Sequence, residues 1–262
     1  MITVEQSWGL IRTHSASFNG SVAHRWKKPK PLSRRPPSVI LPKLGCSVYK
    51  YFSEHKYAEA FLHGQVLFRS LAYFRDIEDA VRGDEYEGTS KFLPEGGVVV
   101  RNQPRGTTLT VPMAFESSVR AYEIFAYCGS LTLSGAIAQD FQSVTCVEIR
   151  NVRMFCQRIR SALPPTATFR ARPVEYYSET QGCSPRWALP DEIAASKLVR
   201  WVGQDEYRFL FSLTDALGFE SVEVRLASRK QRPAPKPDEH IDYPVSIGPL
   251  RDICAVHDCG TL

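Results

Sequence analysis

Several features that define common protein classes are missing from this sequence of 262 residues. No run approaches the roughly eighteen consecutive apolar residues that a membrane-spanning helix needs, and no apolar core follows a basic start, as in a signal peptide. The seven cysteines are an odd number spread through a long chain, which is not the pattern of a disulfide framework. These absences predict a cytoplasmic protein with free thiols and no membrane partner.

The common catalytic signatures are absent as well. The sequence has no phosphate-binding Gly-x-x-x-x-Gly-Lys loop, no Gly-x-Ser-x-Gly elbow, no His-Glu-x-x-His and no Gly-x-Gly-x-x-Gly. Cys254, His257 and Cys259 lie close together, but a structural zinc site needs four ligands and no Cys-x-x-Cys pair supplies the rest. We therefore predict no metal centre and no dinucleotide-binding Rossmann domain.

An acidic stretch from Asp76 to Glu87 allows two interpretations. Closely spaced carboxylates can bind a divalent cation, but the stretch lacks the spacing of an EF-hand loop. The favoured interpretation is a solvated loop whose charge is partly balanced by Arg75 and Arg82.

The chain divides into a basic arm and one folded domain. Hydrophobic residues make up 43% of the sequence and charged residues 23%, which is typical of a globular protein and not of a disordered one. Residues 24–43 hold four lysines, three arginines and five prolines with no acidic residue, a composition that disfavours helices and central strands. We predict an arm over residues 1–44 and a domain over 45–262. The arm is either a solvated linker or an electrostatic contact for an acidic partner such as nucleic acid.

The pattern of the folded part predicts a mixed α+β fold with largely antiparallel sheets. Alternating β-rich runs indicate about eight to ten strands, often adjacent in sequence, and helical periodicity indicates three or four helices. Among these, residues 65–74 are predicted to be one strand, residues 189–202 a helix, and residues 204–213 the most strand-like run of all.

Three segments, in this order, resemble the ADP-ribosyltransferase superfamily over residues 46–212. They are the strand Val48-Tyr49-Lys50-Tyr51 with its helix, Gly64 and the Tyr73-Phe74 pair; the strand Tyr127-Cys128-Gly129-Ser130-Leu131-Thr132; and Gln204-Asp205-Glu206. The chain is also similar to an uncharacterised group of bacterial proteins that open on a Tyr-Lys-Tyr or Tyr-Arg-Tyr strand and close on Glu-x-Arg, as in Glu206-Tyr207-Arg208. The resemblance implies an enzyme that uses NAD as its substrate.

The resemblance assigns the catalytic role to Glu206. Cleavage of the nicotinamide–ribose bond develops positive charge on the ribose, and a fixed carboxylate stabilises that charge. Gln204, two residues earlier and expected on the same strand face, would reach the acceptor. Glu206 and Arg208 also allow a purely structural interpretation, as an ion pair on one face of a strand.

The resemblance assigns the binding of NAD to four further residues. Lys50, where the superfamily carries Arg or His, would hold a phosphate or ribose oxygen as a point charge. Ser130 would brace the glutamate or the ribose, and Tyr73 or Phe74 would stack on the nicotinamide ring. Each also has a structural alternative, as a surface lysine or as core aromatics.

Three functions follow from these patterns. The first is transfer of ADP-ribose to a nucleic acid or a protein, in a bacterial toxin or defence effector. The second is a non-catalytic module that binds nucleic acid or another partner through the basic arm. The third is an NAD glycohydrolase with no macromolecular acceptor.

Overall fold

The computed structural model describes residues 2–4, 39–41, 46–76, 83–181, 185–228 and 241–262. Its strands are β1 Ile2–Val4, β2 Val48–Phe52, β3 Gln65–Ser70, β4 Thr89–Phe92, β5 Val98–Asn102, β6 Thr107–Val111, β7 Met113–Ser118, β8 Phe125–Ser130, β9 Thr145–Ile149, β10 Thr168–Pro173, β11 Glu175–Tyr177, β12 Ser196–Leu198, β13 Glu206–Ser212, β14 Glu223–Ser228, β15 Asp242–Ser246 and β16 Cys254–Asp258. Its α-helices are α1 His55–Leu62, α2 Leu71–Asp76, α3 Gly135–Asp140, α4 Val152–Ala162 and α5 Pro190–Ile193.

A central sheet of eight strands organises the molecule. Six strands run in the order β10-β13-β8-β2-β9-β16, and β3 pairs with β8 and carries β15 on its other side. Smaller sheets are formed by β1-β5-β6, by β14-β7-β4 and by β11-β12. Among the described strands, β11 and β12 form the only parallel pair. The prediction of a mixed α+β fold with largely antiparallel sheets is confirmed, whereas a specifically ADP-ribosyltransferase-like fold stays a prediction.

Each face of the central sheet carries its own hydrophobic core. On one face, which we call the first core, α1 and α4 bury Phe61 and Phe155 against aromatic side chains of β8 and β13, including Tyr127 and Phe209. On the other face, the second core joins α2 and residues 193–195 to the same two strands. Because successive side chains of a strand point to opposite faces, β8 and β13 serve both cores.

Local sequence explains the two helices of the first core. In α4, Asn151 accepts the backbone N–H of Met154 and so caps the first turn, and the buried residues follow a helical period. Helix α1 is followed by Gly64 at φ +92°, a left-handed conformation that glycine adopts without strain. Among the described residues, no helix is both long and apolar enough to cross a lipid bilayer.

Two predicted elements are wrong in part. The predicted helix over residues 189–202 is instead the short α5, the strand β12 and a 3₁₀ turn at Val199–Gln204. Pairing of β12 with β11 buries Ser196, Lys197 and Leu198, so tertiary contacts override the helical propensity of this run. The predicted strand over residues 65–74 ends at Ser70 and continues as α2.

Most of the predicted arm lies outside the described residues, including 24–38. Two short pieces of it are described, and both contact sheet edges. Residues 2–4 pair with β5, and Val39 forms a bridge with Ala171 of β10. The backbone oxygen of Ile40 accepts the Tyr207 hydroxyl at 2.7 Å. The boundary at residue 45 stays a prediction, although residues 39–41 on its N-terminal side contact the domain.

This attachment predicts a difference between two truncations. A chain that starts at residue 39 keeps the partner of the Tyr207 hydroxyl, whereas a chain that starts at residue 45 leaves that hydroxyl unpaired. Water can reach the hydroxyl once residues 39–41 are removed, so the lost bond is worth only about 0.5–1.5 kcal/mol, and the shorter chain should unfold at a slightly lower denaturant concentration. Equal midpoints for the two truncations would contradict the attachment.

Candidate functional site

Three of the motif segments meet on adjacent strands of the central sheet. Glu206 of β13 lies directly opposite Ser130 of β8, and Ser130 lies directly opposite Tyr49 of β2. Opposed residues of an antiparallel pair share a face, with Cβ atoms about 4.5–5.5 Å apart. Glu206, Ser130 and Tyr49 therefore form one row, on the face of the sheet that carries the second core.

The predicted phosphate ligand Lys50 lies on the opposite face. Its Nζ donates to the backbone oxygen of Cys128 at 2.8 Å and lies 4.6 Å from the centre of the Tyr127 ring, in the first core. Side chains alternate along a strand, so the residue of β2 that joins the row is Tyr49. The predicted ligand Lys50 and the predicted residues Glu206 and Ser130 therefore lie on opposite faces of the sheet.

Close approach of β2 to β8 depends on Gly129. A Cβ atom at this position would lie 2.5 Å from the Cγ1 atom of Val48 and 3.0 Å from the Tyr49 backbone oxygen. No side chain fits there, so glycine allows the two strands to pair at Tyr49 and Ser130. Ser130 is buried, and its Oγ accepts the backbone N–H of Thr132 at 3.1 Å.

Glu206 belongs to a group of buried charged side chains. We call this group the charge cluster: Asp84, Glu87, Lys197, Glu206 and Arg208, all less than 7% exposed. The Glu206 carboxylate accepts from Arg208 Nε at 2.7 Å and from Lys197 Nζ at 2.8 Å. The sequence-based ion pair between Glu206 and Arg208 is confirmed.

Arg208 connects the two carboxylates at the centre of the cluster. Its Nη2 donates to Glu87 Oε2 at 2.8 Å, and its Nη1 donates to Glu87 Oε1 and to the backbone oxygen of Ala194. The planar guanidinium suits this bidentate contact with Glu87, which a lysine could not make. Arg208 is only 1% exposed, so its charge depends entirely on these partners.

These contacts keep Glu206 ionised. Burial alone would raise the pKa of Glu206, but the charges of Arg208 and Lys197 outweigh burial and hold its pKa well below the usual range. For Lys197, burial lowers the pKa, and attraction to Glu206 more than offsets that effect. The row therefore carries a fixed negative charge at neutral pH.

Asp84 behaves in the opposite way. Burial, and then repulsion from Glu87, raise the pKa of Asp84, although Lys197 and Arg208 act against both. A raised carboxyl pKa means that the folded protein binds the proton more tightly than the unfolded chain does. Ionised Asp84 therefore lowers the free energy of unfolding at neutral pH.

We expect Asp84→Asn to raise the melting temperature at pH 7. Asparagine keeps an oxygen for the Tyr86 N–H, which Asp84 accepts at 3.1 Å, and removes the unfavourable charge. Because wild-type Asp84 becomes protonated as the pH falls through its raised pKa, the gain should shrink toward acidic pH. Melting curves from pH 7 down to pH 4 measure this. A variant that melts lower than the wild type at pH 7 would contradict the assignment.

A tight turn holds Gln204 beside the cluster. The 3₁₀ turn ends at Asp205, which has a left-handed φ of 42° and whose carboxylate accepts the Thr132 hydroxyl at 2.5 Å. Gln204 Oε1 accepts from Lys197 Nζ at 2.9 Å. The expectation that Gln204 and Glu206 share a strand face is wrong, because β13 begins at Glu206. Lys197 brings their side chains together instead.

Tyr73 and Phe74 lie on α2, which packs at the second core. Their rings pack edge to face at 5.3 Å, the Arg69 guanidinium lies 4.1 Å from the Tyr73 ring centre, and Phe74 packs against the second core. The backbone oxygen of Phe74 accepts the Asp84 N–H at 2.9 Å, so the pair borders the charge cluster. These contacts match the core interpretation of the two aromatics.

The interpretation of the acidic stretch as a solvated loop is wrong for its described end. Residues 77–82 lie outside the described part of the chain, but Asp84 and Glu87 are buried at the charge cluster. The sequence carried no sign that Glu87, in a predicted loop, or Lys197, in a predicted helix, would be buried. Neither residue was therefore expected at the candidate site. The Glu-x-Arg ending was the one local signal of the charge cluster, because it places two charged residues within the strongly hydrophobic strand β13.

Among the described residues, no group of three or more His, Cys, Asp or Glu side chains could hold a metal ion. His257 Nε2 instead contacts Glu148 Oε2 at 3.1 Å, while Cys254 and Cys259 are free thiols.

Comparisons with protein-family models, with curated proteins and with solved structures found no match to this chain.

Proposed function

We propose that this protein transfers ADP-ribose from NAD to a macromolecular acceptor, either a nucleic acid or a protein. The observation that supports this most is the row of Glu206, Ser130 and Tyr49. These residues come from three distant segments that resemble the ADP-ribosyltransferases. A chance resemblance would not require the three strands that carry these segments to be neighbours in the sheet, as β13, β8 and β2 are.

The chemistry requires a carboxylate beside the reacting ribose. The bond between nicotinamide and C1′ of the ribose breaks, nicotinamide leaves as a neutral molecule, and positive charge spreads over C1′ and the ring oxygen. A nucleophilic atom of the acceptor then bonds to C1′ and releases its proton to solvent. The fixed charge of Glu206 would stabilise the cationic species, because a preorganised charge costs no reorganisation when the reaction occurs.

A ribose hydroxyl would have to displace one of the donors that already contact Glu206. An ionised carboxylate has about four acceptor positions. Arg208 Nε uses one on Oε1, while Lys197 at 2.8 Å and Arg208 Nη2 at 3.3 Å use those on Oε2. The Cys128 thiol also hydrogen-bonds to this carboxylate, so all four positions have a donor, and a ribose hydroxyl would take the place of the thiol. Arg208 and Lys197 would act as positioning residues that keep the carboxylate ionised and in place.

The neighbouring side chains have supporting roles in this proposal. Ser130 would contact the ribose beside Glu206, and Gln204 would present the acceptor from the turn before β13. Lys50, on the opposite face, has no role in the chemistry proposed. The setting that the resemblance implies is a bacterial toxin or defence effector acting in the cytoplasm.

Labelled NAD tests the proposal directly. At about 100 times its dissociation constant, NAD should stabilise the wild-type protein by about 2.7 kcal/mol, and label should move onto DNA, RNA or protein in a lysate. Release of free ADP-ribose alone would identify a glycohydrolase. A protein that neither binds nor consumes NAD is not a transferase, and nucleic-acid binding in that case would identify the non-catalytic module.

A further inference from the structure

Strand β16 forms one outer edge of the central sheet. It pairs with β9 on one side, and among the described strands none pairs with its other side. The backbone oxygen of Ile253, just before β16, accepts the Arg150 N–H at 2.9 Å. Because hydrogen-bonded positions alternate along an antiparallel pair, the odd-numbered residues of β16 bond to β9. The N–H and C=O groups of Cys254 and Val256 therefore point away from the sheet.

The other outer edges of this sheet are less suited to pairing. On β10, a parallel bridge from Val39 to Ala171 already covers the outer side. The edge strand β15 contains Pro244, which has no N–H to donate. Strand β16 contains no proline, lysine or arginine, and the carboxylate of Asp258 turns back to accept the Gly260 N–H at 2.9 Å. Of the described edges of this sheet, β16 is thus the one open to a further strand.

The centre of β16 carries an exposed apolar side chain. Val256 is 53% exposed, although it lies directly opposite Val147, which is completely buried in the first core. Cys254 packs against the same core. A strand added at this edge would cover Val256 and extend the first core outward, and burial of apolar surface favours that association.

The sequence of β16 is complementary to a second copy of itself. An antiparallel pair centred on Val256 places this valine opposite its own copy, and Cys254 opposite Asp258 of the copy. On the other face, Ala255 lies opposite His257 of the copy, where the small alanine leaves room for the imidazole ring. No two like charges face each other in this register, so no repulsion opposes the pairing.

We propose that two copies of this protein associate through β16, in an antiparallel pair about a twofold axis at Val256. The N–H and C=O groups of Val256 bond to those of its copy, and the two central sheets become one continuous sheet. Pairing leaves neither edge exposed, so the assembly closes at two copies. The proposal is independent of the proposed enzymatic function, because β16 lies two strands beyond β2 and contains no residue of the charge cluster.

Opposite charges at Val256 test the twofold axis directly. Sedimentation of the full-length protein is measured from about 1 µM to about 1 mM, a range suited to a contact smaller than a standard interface. The wild type should form a dimer in a concentration-dependent way. Val256→Lys and Val256→Glu should each weaken association at least about tenfold, because each places like charges opposite one another. An equimolar mixture of the two variants should dimerise again, since lysine then faces glutamate.

Leu109→Lys is the matched control, because Leu109 is 63% exposed on β6, an edge strand of a different sheet. It should associate like the wild type, and melting curves establish that each variant is folded. Val256→Pro removes an N–H that β9 does not use, and it should also be monomeric. A wild type that stays monomeric at about 1 mM would overturn the proposal, as would unchanged dimers of the charged variants. Folded charged variants that do not associate when mixed would overturn the axis at Val256.

Discussion

Replacing Glu206 by Gln should reduce NAD turnover by two to three orders of magnitude. The substitution keeps the size and the hydrogen-bonding capacity of the side chain but removes the negative charge that a cationic ribose requires. Loss of one preorganised group of this kind raises a barrier by roughly 3–4 kcal/mol. Turnover is measured as nicotinamide release under saturating NAD, at a temperature where the variant is fully folded.

The same substitution should destabilise the protein, because Glu206 is the shared partner of Lys197 and Arg208. Removing one member of a buried ion pair costs about 3–5 kcal/mol, and a glutamine that still accepts hydrogen bonds should bring the loss toward the lower end. A fall in activity alone would therefore not distinguish catalysis from instability.

Glu87→Gln provides the matched control. Glu87 is as deeply buried and binds the same guanidinium, but it lies behind Arg208 and outside the row of Ser130 and Tyr49. It should lose comparable stability and keep most of its turnover. If the two variants lose turnover equally, the charge cluster acts only through the fold and Glu206 is not catalytic.

Replacing Arg208 by Met should lower the stability of the protein by about 3–5 kcal/mol. Methionine fills part of the volume but leaves Glu87 and Glu206 as buried carboxylates without their central partner. Denaturant unfolding measures the loss as a lower midpoint with an unchanged slope. We expect acid to restore part of the difference, because protonation of the two carboxylates removes the unpaired charge.

Arg158→Met is the control for the chemical nature of that change. Arg158 also binds a carboxylate through two nitrogens, Nη1 at 3.1 Å and Nη2 at 2.5 Å from Asp252. Its partner is 59% exposed, so solvent replaces the lost contact and the effect should be far smaller. Similar losses in the two variants would show that burial of the charge cluster contributes little.

Sequence patterns predicted the fold class because they are local. Alternation along residues 204–213, helical spacing in α4 and glycine after α1 each reflect the preferences of a short segment, and the structure contains all three elements. The predicted helix over residues 189–202 is wrong because its structure depends on a contact between distant segments. Pairing of β12 with β11 overrides the helical propensity of this segment, and the local sequence pattern carries no information about that pairing.

The candidate site shows the same division between local pattern and tertiary contact. The sequence by itself determined that Glu206 and Arg208 share a strand face and that glycine is needed at 64, and it selected the three segments whose strands are neighbours in the sheet. Only the tertiary structure decided that Tyr49 and not Lys50 joins the row, and that Asp84, Glu87 and Lys197 surround Glu206. The physical reason is that side-chain alternation follows from the backbone of one strand, whereas burial, neighbouring charges and the resulting pKa values depend on which strands pair and which face is covered.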